Sequence, residues 1–136
     1  MTPEEARDFI RQNHRSVLAT RRRDGGAQLS PVLAAVDPEG RVVVSTREAS
    51  VKVRNLRRQP RCNLLAFSDG FFGPWVAVAG TAEVVSLPEA LPLLERYYRD
   101  AVGEHPDWDE YRSAMVKEGR VLVRITVEEV GPKTGG

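Results

Sequence analysis

The sequence has few residues of the kinds that build disulfides, metal centres or covalent catalytic sites. It contains one cysteine, Cys62, and two histidines, His14 and His105, among 136 residues. A single cysteine excludes an internal disulfide framework and is typical of a reducing compartment. A metal site built from histidine and cysteine is not expected, because such sites need about three or four of these ligands. We therefore expect a cytoplasmic protein without a metal.

Membrane and nucleic-acid functions are not expected either. No apolar run approaches the roughly 20 residues of a membrane helix, and the first residues, TPEEARDFIRQ, are too charged for a signal peptide. Twenty basic and 19 acidic residues leave a formal net charge of +1, which gives no general attraction to nucleic acid. The motifs GxSxG, HExxH, GxGxxG and the Walker lysine loop do not occur, so no catalytic residue is assigned.

Turn and capping signals predict one mainly β domain over residues 1–130, followed by a short tail, 131–136. A capping box at Thr2 and Glu5 opens a helix that ends near Asn13, and a second box at Ser86 and Glu89 opens another. The helix that begins at Ser86 is predicted to end near residue 100, and further helices are predicted at 50–58 and 105–118. Strands are predicted at 16–22, 27–36, 41–46, 61–67, 75–85 and 120–130. Gly80 is a candidate bulge. Six strands joined mostly by short turns indicate an antiparallel barrel with flanking helices.

The strongest functional signal is the basic segment STREASVKVRNLRRQPR, residues 45–61. Ser50 is a good N-cap, so Lys52 falls in the first helical turn, where the helix already carries partial positive charge. A bound anion removes this conflict, because free N–H groups, a hydroxyl and an ammonium together form a phosphate site. The alternative is a solvated surface lysine.

The other arginines have simpler interpretations. Arg57 and Arg58 lie near the helix C-terminus, where cations are favourable. The run of three arginines at 21–23, beside a tight turn, is typical of a solvated hairpin end.

The stretch DGFFGPW, residues 69–75, places three aromatic residues in a loop bounded by glycine and proline. Exposed aromatic clusters are uncommon unless something covers them. The loop either folds onto its own core, or it covers a flat ligand or contacts another subunit.

Three segments carry a resemblance to a known family: VSTREASVKVRNLRRQPRCNLLAF, VAVAGTAEVV and VGEHPDWDEYRSAMVKEGRVLVRI. They resemble the pyridoxamine 5'-phosphate oxidase-like split-barrel superfamily, and within it the actinobacterial flavin/deazaflavin oxidoreductases that use coenzyme F420. The resemblance covers about residues 16–130. It implies a six-stranded split β-barrel and a homodimer with two cofactor sites along its interface.

The resemblance also implies where the cofactor binds. The ring would lie against the second and third strands, the phosphate at the start of the basic helix, and the aromatic loop of the partner subunit over the ring. Arg47 and Arg54 would help to bind the carboxylates of the F420 tail. The implied cofactor-binding residues are Gln28, Ser30, Pro31, Val32, Ser45, Thr46, Arg47, Ser50, Lys52, Asn55, Phe72, Gly73 and Trp75.

The implied function is F420-dependent hydride transfer to a small organic acceptor in the dimer cleft. An FMN-dependent oxidase or reductase and a non-enzymatic cofactor carrier are the alternatives. Close relatives often carry arginine where this chain has Ser50. The C-terminal segment with arginine and histidine that true pyridoxamine phosphate oxidases carry has no counterpart here, so vitamin B6 oxidation is not expected.

Overall fold

One antiparallel sheet of seven strands organises residues 1–132, the part of the chain that the computed structural model describes. The strands are β1 Arg15–Arg21, β2 Ala27–Leu33, β3 Ala35–Val36, β4 Val42–Arg47, β5 Arg61–Phe67, β6 Trp75–Val85 and β7 Arg120–Gly131. The helices are α1 Pro3–Gln12, α2 Val51–Arg58, α3 Ala90–Ala101 and α4 Trp108–Glu118. Among the described residues, no helix combines the length and the apolar character needed to cross a bilayer.

The order of the strands closes the sheet into a split barrel. The order is β2-β1-β5-β6-β7-β4-β3, so β2 and β3 lie at opposite edges although only Ala34 separates them in the chain. The sheet must therefore curl until its two edges meet. The predicted barrel is confirmed.

The prediction of a single strand over 27–36 is wrong, and the sheet has seven strands rather than six. The first part of this segment pairs with β1 and the last part pairs with β4. Between them, the buried Ala34 donates its N–H to the carbonyl oxygen of His14 at 2.8 Å. One straight strand cannot pair with both β1 and β4, so the ladder of hydrogen bonds is interrupted at Ala34.

Alternation along the strands divides the apolar side chains between two cores. One core fills the barrel, and Leu18, Val44 and Ile125 are among its fully buried members. The second core lies outside the barrel, where α3 and α4 cover β4 and β7 around Leu94 and Leu122. The helices thus protect only part of the outer surface of the sheet.

Two of the predicted helix starts differ from the structure. α3 begins at Ala90, and the hydroxyl of Ser86 does not cap it; instead it contacts Glu48 at 3.2 Å and Arg57 at 3.0 Å. α4 begins at Trp108 rather than at 105. Asp107 is its N-cap, and the side chain of Asp107 accepts a hydrogen bond from the N–H of Glu110. The capping box at Thr2 is confirmed.

The predicted tail, 131–136, begins inside β7, because Gly131 is the last residue of that strand. Residues 133–136 lie outside the described residues.

Gly80 occupies the bulge that the sequence predicts in β6. The pairing register between β6 and β7 shifts between Ala79 and Gly80. A Cβ atom on Gly80 would lie 1.9 Å from the carbonyl oxygen of Thr126 on β7. Only glycine allows the two strands to approach this closely.

We expect Gly80→Ala to lower the free energy of unfolding by about 3 kcal/mol, because the new methyl group must push apart the backbones of two central strands. Urea unfolding followed by circular dichroism measures this loss. Gly70→Ala is the matched control, since its added Cβ would meet no atom closer than 3.7 Å. Equal stability of the two variants would show that β6 and β7 can separate at little cost.

Candidate functional site: the first turn of α2

The first turn of α2 is a helix start without an acidic residue. Ser50 is the N-cap, and its hydroxyl accepts a long hydrogen bond of 3.4 Å from the N–H of Val53. The hydroxyl of Thr46, at the end of β4, donates to the same oxygen at 3.4 Å. Both contacts are at the weak end of the hydrogen-bond range. The partial positive charge of this helix end is therefore poorly compensated.

Lys52 adds a full positive charge at the same place. Its side chain is half-buried. Burial lowers the pKa of the Lys52 ammonium, and repulsion by the nearby Arg120 lowers it further. Among the described residues, no carboxylate offsets this charge. A bound anion would stabilise the charged ammonium.

Arg120 joins this cationic group from β7. It lies opposite Arg47 in the pairing of β4 with β7, and both guanidinium groups contact Glu118, at 2.9 and 3.3 Å. These two arginines, Arg120 first, lower the pKa of the Glu118 carboxyl. Among residues 1–132, Glu118 thus forms ion pairs with two arginines, whereas Lys52 beside them has no carboxylate partner.

A cleft of about 370 Å³ lies between β4 and the two outer helices, and Arg120 lines it. Its other lining residues include Leu33, Ser45, Tyr97 and Tyr111. The phenol of Tyr97 donates to the carbonyl oxygen of Leu33 at 2.8 Å. Burial raises the pKa of Tyr97, and it raises the pKa of Tyr111 to about 12. Both phenols therefore stay protonated at neutral pH, and the cleft combines apolar walls with an end where Arg120 pairs with Glu118.

The alternation of the strands separates the predicted site residues into two groups. On β2, Gln28, Ser30 and Val32 pair with Thr20, Leu18 and Ser16 and face the inside of the barrel, whereas Pro31 faces outward. On β4, the buried Thr46 faces inward. Ser45 and Arg47 face outward, on the side of the cleft. The structure therefore brings Ser45, Arg47, Ser50 and Lys52 to one end of α2, where the hydroxyl of the inward-facing Thr46 also reaches Ser50.

Asn55 and Gln28 belong to a buried polar network rather than to the cleft. The amide nitrogen of Asn55 donates to the Thr20 hydroxyl at 3.1 Å, and that hydroxyl donates to the Gln28 oxygen at 3.2 Å. Gln28 in turn donates to the Ser30 hydroxyl at 2.9 Å. Arg58 donates to the amide oxygen of Asn55 at 3.1 Å. Their polar groups are thus used in holding α2 against β1 and β2.

The aromatic loop between β5 and β6 does not fold onto its own core. Phe71 and Phe72 are 92% and 96% exposed, and their rings contact each other edge to face at 4.8 Å. The N–H of Gly73 donates to the carbonyl oxygen of Gly70 at 2.9 Å, which closes a turn around the two phenylalanines. The loop borders an apolar groove of about 610 Å³ that Leu65 and Trp75 help to line. This leaves the loop free to cover a ligand or another subunit.

The loop and the first turn of α2 lie at opposite ends of the sheet. Trp75 begins β6, and Val85 ends it beside Leu122, two residues from Arg120. Eleven residues of strand span about 35 Å. Within one chain, Phe72, Gly73 and Trp75 are therefore far from Lys52.

Comparison with known proteins identifies the family. The family model of pyridoxamine 5'-phosphate oxidase matches residues 2–133. A conserved hypothetical protein from Mycobacterium tuberculosis is 31% identical, with a TM-score of 0.76 over 96% of this chain and 82% of that chain.

Two other solved structures share the fold at lower identity. An F420 reductase is 18% identical, with a TM-score of 0.73 over 96% of this chain and 98% of that chain. A heme-binding protein from Mycobacterium smegmatis is 23% identical, with a TM-score of 0.67 over 94% of this chain and 52% of that chain. At these identities the likeness concerns the fold alone.

We expect Thr20→Val to lower the free energy of unfolding by about 2 kcal/mol, because the amide of Asn55 and the oxygen of Gln28 would both lose a buried partner. Chemical denaturation measures the change. Thr126→Val, at an exposed position of β7, is the matched control and should change stability by less than about 0.5 kcal/mol. A similarly small loss for Thr20→Val would show that the network does not anchor α2.

Proposed function

The chain belongs to the pyridoxamine 5'-phosphate oxidase family, and on that premise we propose that it is an oxidoreductase that binds coenzyme F420. In this proposal, a hydride passes between the reduced deazaflavin and a small organic acceptor in a cleft between two subunits. The observation that carries the proposal is the uncompensated charge of Lys52 beside Arg120, at the start of α2.

The first turn of α2 fits a phosphate group. A helix start offers N–H groups that point outward along the axis, and Ser50 adds a hydroxyl. The ammonium of Lys52 adds a charge-assisted hydrogen bond, which is about twice as strong as a neutral one. A phosphate also relieves the repulsion between Lys52 and Arg120. These residues would hold the phosphate, and Arg47 would hold a carboxylate of the tail.

The remaining residues would orient a ring and keep water away from it. When bound, the deazaflavin supplies the hydride chemistry itself, so no side chain has to act as a nucleophile. The outward-facing Ser45 and the apolar cleft beside it would form one wall. Tyr97 ties the end of β2 to α3 through the carbonyl of Leu33 and thereby fixes the shape of that wall.

A homodimer would complete the site. The outer faces of β2, β1, β5 and β6 carry an uncovered apolar surface, which includes Leu29 at 63%, Leu33 and Leu65 at 40% and Phe67 at 38% exposure. Contiguous apolar surfaces of this kind mark protein interfaces. A partner packed there would bring its own Phe72, Gly73 and Trp75 toward the cleft, which the loop of the same chain cannot reach.

FMN is the alternative cofactor, because it shares the ring and phosphate and lacks the acidic tail. A phosphate site at Lys52 fits both molecules, whereas an acidic tail would add contacts to further arginines. A cofactor carrier without turnover is the non-enzymatic alternative. It predicts tight binding and no oxidation of reduced F420 with any acceptor.

We expect Lys52→Ala to weaken F420 binding at least about tenfold, because a charged hydrogen-bond donor to the phosphate is lost. Fluorescence titration of F420 gives the dissociation constant. Lys117→Ala is the control, since Lys117 is exposed near the end of α4.

The same titration distinguishes the alternatives. Unchanged affinity in the folded Lys52→Ala variant would contradict the site. Binding of FMN without binding of F420 would contradict the choice of cofactor.

We expect Leu65→Glu to convert the dimer into a monomer, because it places a charge in the centre of the apolar outer face. Light scattering coupled to gel filtration measures the mass. Val116→Glu, an exposed apolar position on α4, is the control and should leave the mass unchanged. A wild-type protein that is monomeric at micromolar concentration would contradict the proposed interface.

A further inference from the structure

A groove of about 600 Å³ at the other end of α2 is lined almost entirely by arginine. Its walls come from the end of β1, the β1–β2 turn, the last turn of α2 and the start of β5. The lining residues are Arg21, Arg22, Arg23, Gly25, Arg58, Gln59 and Arg61. Five guanidinium groups thus gather in one place, on a chain whose formal net charge is +1.

The charges of this arginine groove are only partly compensated within residues 1–132. Asp24 pairs with Arg22, and Glu128 pairs with Arg61. Arg21, Arg23 and Arg58 have no carboxylate partner among the described residues. Arginine does not lose its proton to relieve repulsion, so these three side chains stay charged and are available to an external anion.

The groove is also held in shape, which a merely solvated hairpin end does not require. Arg58 donates to the carbonyl oxygen of Arg21 at 2.6 Å and to the buried amide of Asn55 at 3.1 Å. Arg21 donates to the carbonyl oxygen of Gly25 at 3.3 Å across the turn.

We propose that the arginine groove binds a small, multiply charged anion, a short chain of phosphates or carboxylates. Planar guanidinium groups bind both by paired hydrogen bonds. The volume is in the range of small-molecule sites. Nucleic acid is disfavoured because none of the described residues that line the groove is aromatic and able to stack on a base.

The proposed anion site is separate from the first turn of α2. Lys52 and Arg58 are six residues apart, which is about 9 Å along the helix axis. The anion has two possible sources: a free oligophosphate, or the carboxylate tail of a cofactor bound at Lys52. The second source rests on the proposed function, whereas the first does not.

The test uses the double variant Arg22→Gln/Arg23→Gln, with Arg11→Gln/Lys117→Gln as a control that removes the same charge from exposed positions of α1 and α4. Calorimetric titration with tripolyphosphate at low salt should show binding to the wild type and the control. The groove variant should bind about tenfold more weakly or worse, because two charged donors are lost.

A parallel titration with F420 identifies the source. An equal loss of F420 affinity in the groove variant assigns the groove to the tail, and unchanged F420 affinity assigns it to a free polyanion. Failure of F420 to bind at all, with tripolyphosphate binding intact, contradicts the proposed function but not the groove.

Three results would overturn the proposal: no heat with tripolyphosphate, the same affinity for tripolyphosphate as for orthophosphate, or an equal loss in the control variant. Tighter binding of a single-stranded oligonucleotide than of tripolyphosphate, lost in the groove variant, would also overturn it in favour of nucleic acid.

Discussion

The buried amide of Asn55 is the constraint on which both cationic sites of this protein depend. α2 has only eight residues, and a helix that short is not stable without tertiary contacts. Val53 and Leu56 anchor it through apolar burial, but apolar contacts alone do not fix its rotation. Asn55 does so, because its amide nitrogen donates to Thr20 on β1, and Arg58 of the same helix joins its amide oxygen to the carbonyl oxygen of Arg21 on β1. This orientation sets the first turn beside Arg120 and the last turn over the hairpin of β1 and β2.

The two ends of α2 carry positive charge for opposite physical reasons. At the C-terminus the helix dipole favours cations, so Arg57 and Arg58 are stable there, and both donate to protein oxygens. At the N-terminus the dipole, burial and Arg120 all act against Lys52. An anion at the first end therefore removes a local instability of the fold. An anion at the second end adds to an arrangement that is already stable. The first site is consequently the one where a bound anion would relieve the less favourable charge.

The strands were predictable where apolar and polar residues alternate regularly. The site was predictable only where its residues lie close together in the sequence. β5 and β6 have the predicted bounds; burial alternates throughout β5 and is interrupted in β6 only around the Gly80 bulge. The division at Ala34 depends on which strands close the barrel, and the sequence pattern does not carry that information. The same pairing turns Ser30 inward and Pro31 outward, so neighbouring residues predicted at one site lie on opposite faces. Arg120 could not be predicted as a site residue, because it lies 73 positions after Arg47 and is brought next to it only by the pairing of β4 with β7.

The position of the cleft follows from how unevenly the sheet is covered. α3 and α4 shield the outer face of β4 and β7, whereas the outer face of β2, β1 and β5 carries exposed leucines. Leu33 lies at the boundary between the two: it is 40% exposed on the apolar face, and it also lines the cleft beside Tyr97. Any partner that covers the apolar face must therefore border the cleft. Leu33 thus joins the apolar face to the cleft that Arg120 lines, so that in the proposed homodimer a single interface would border both.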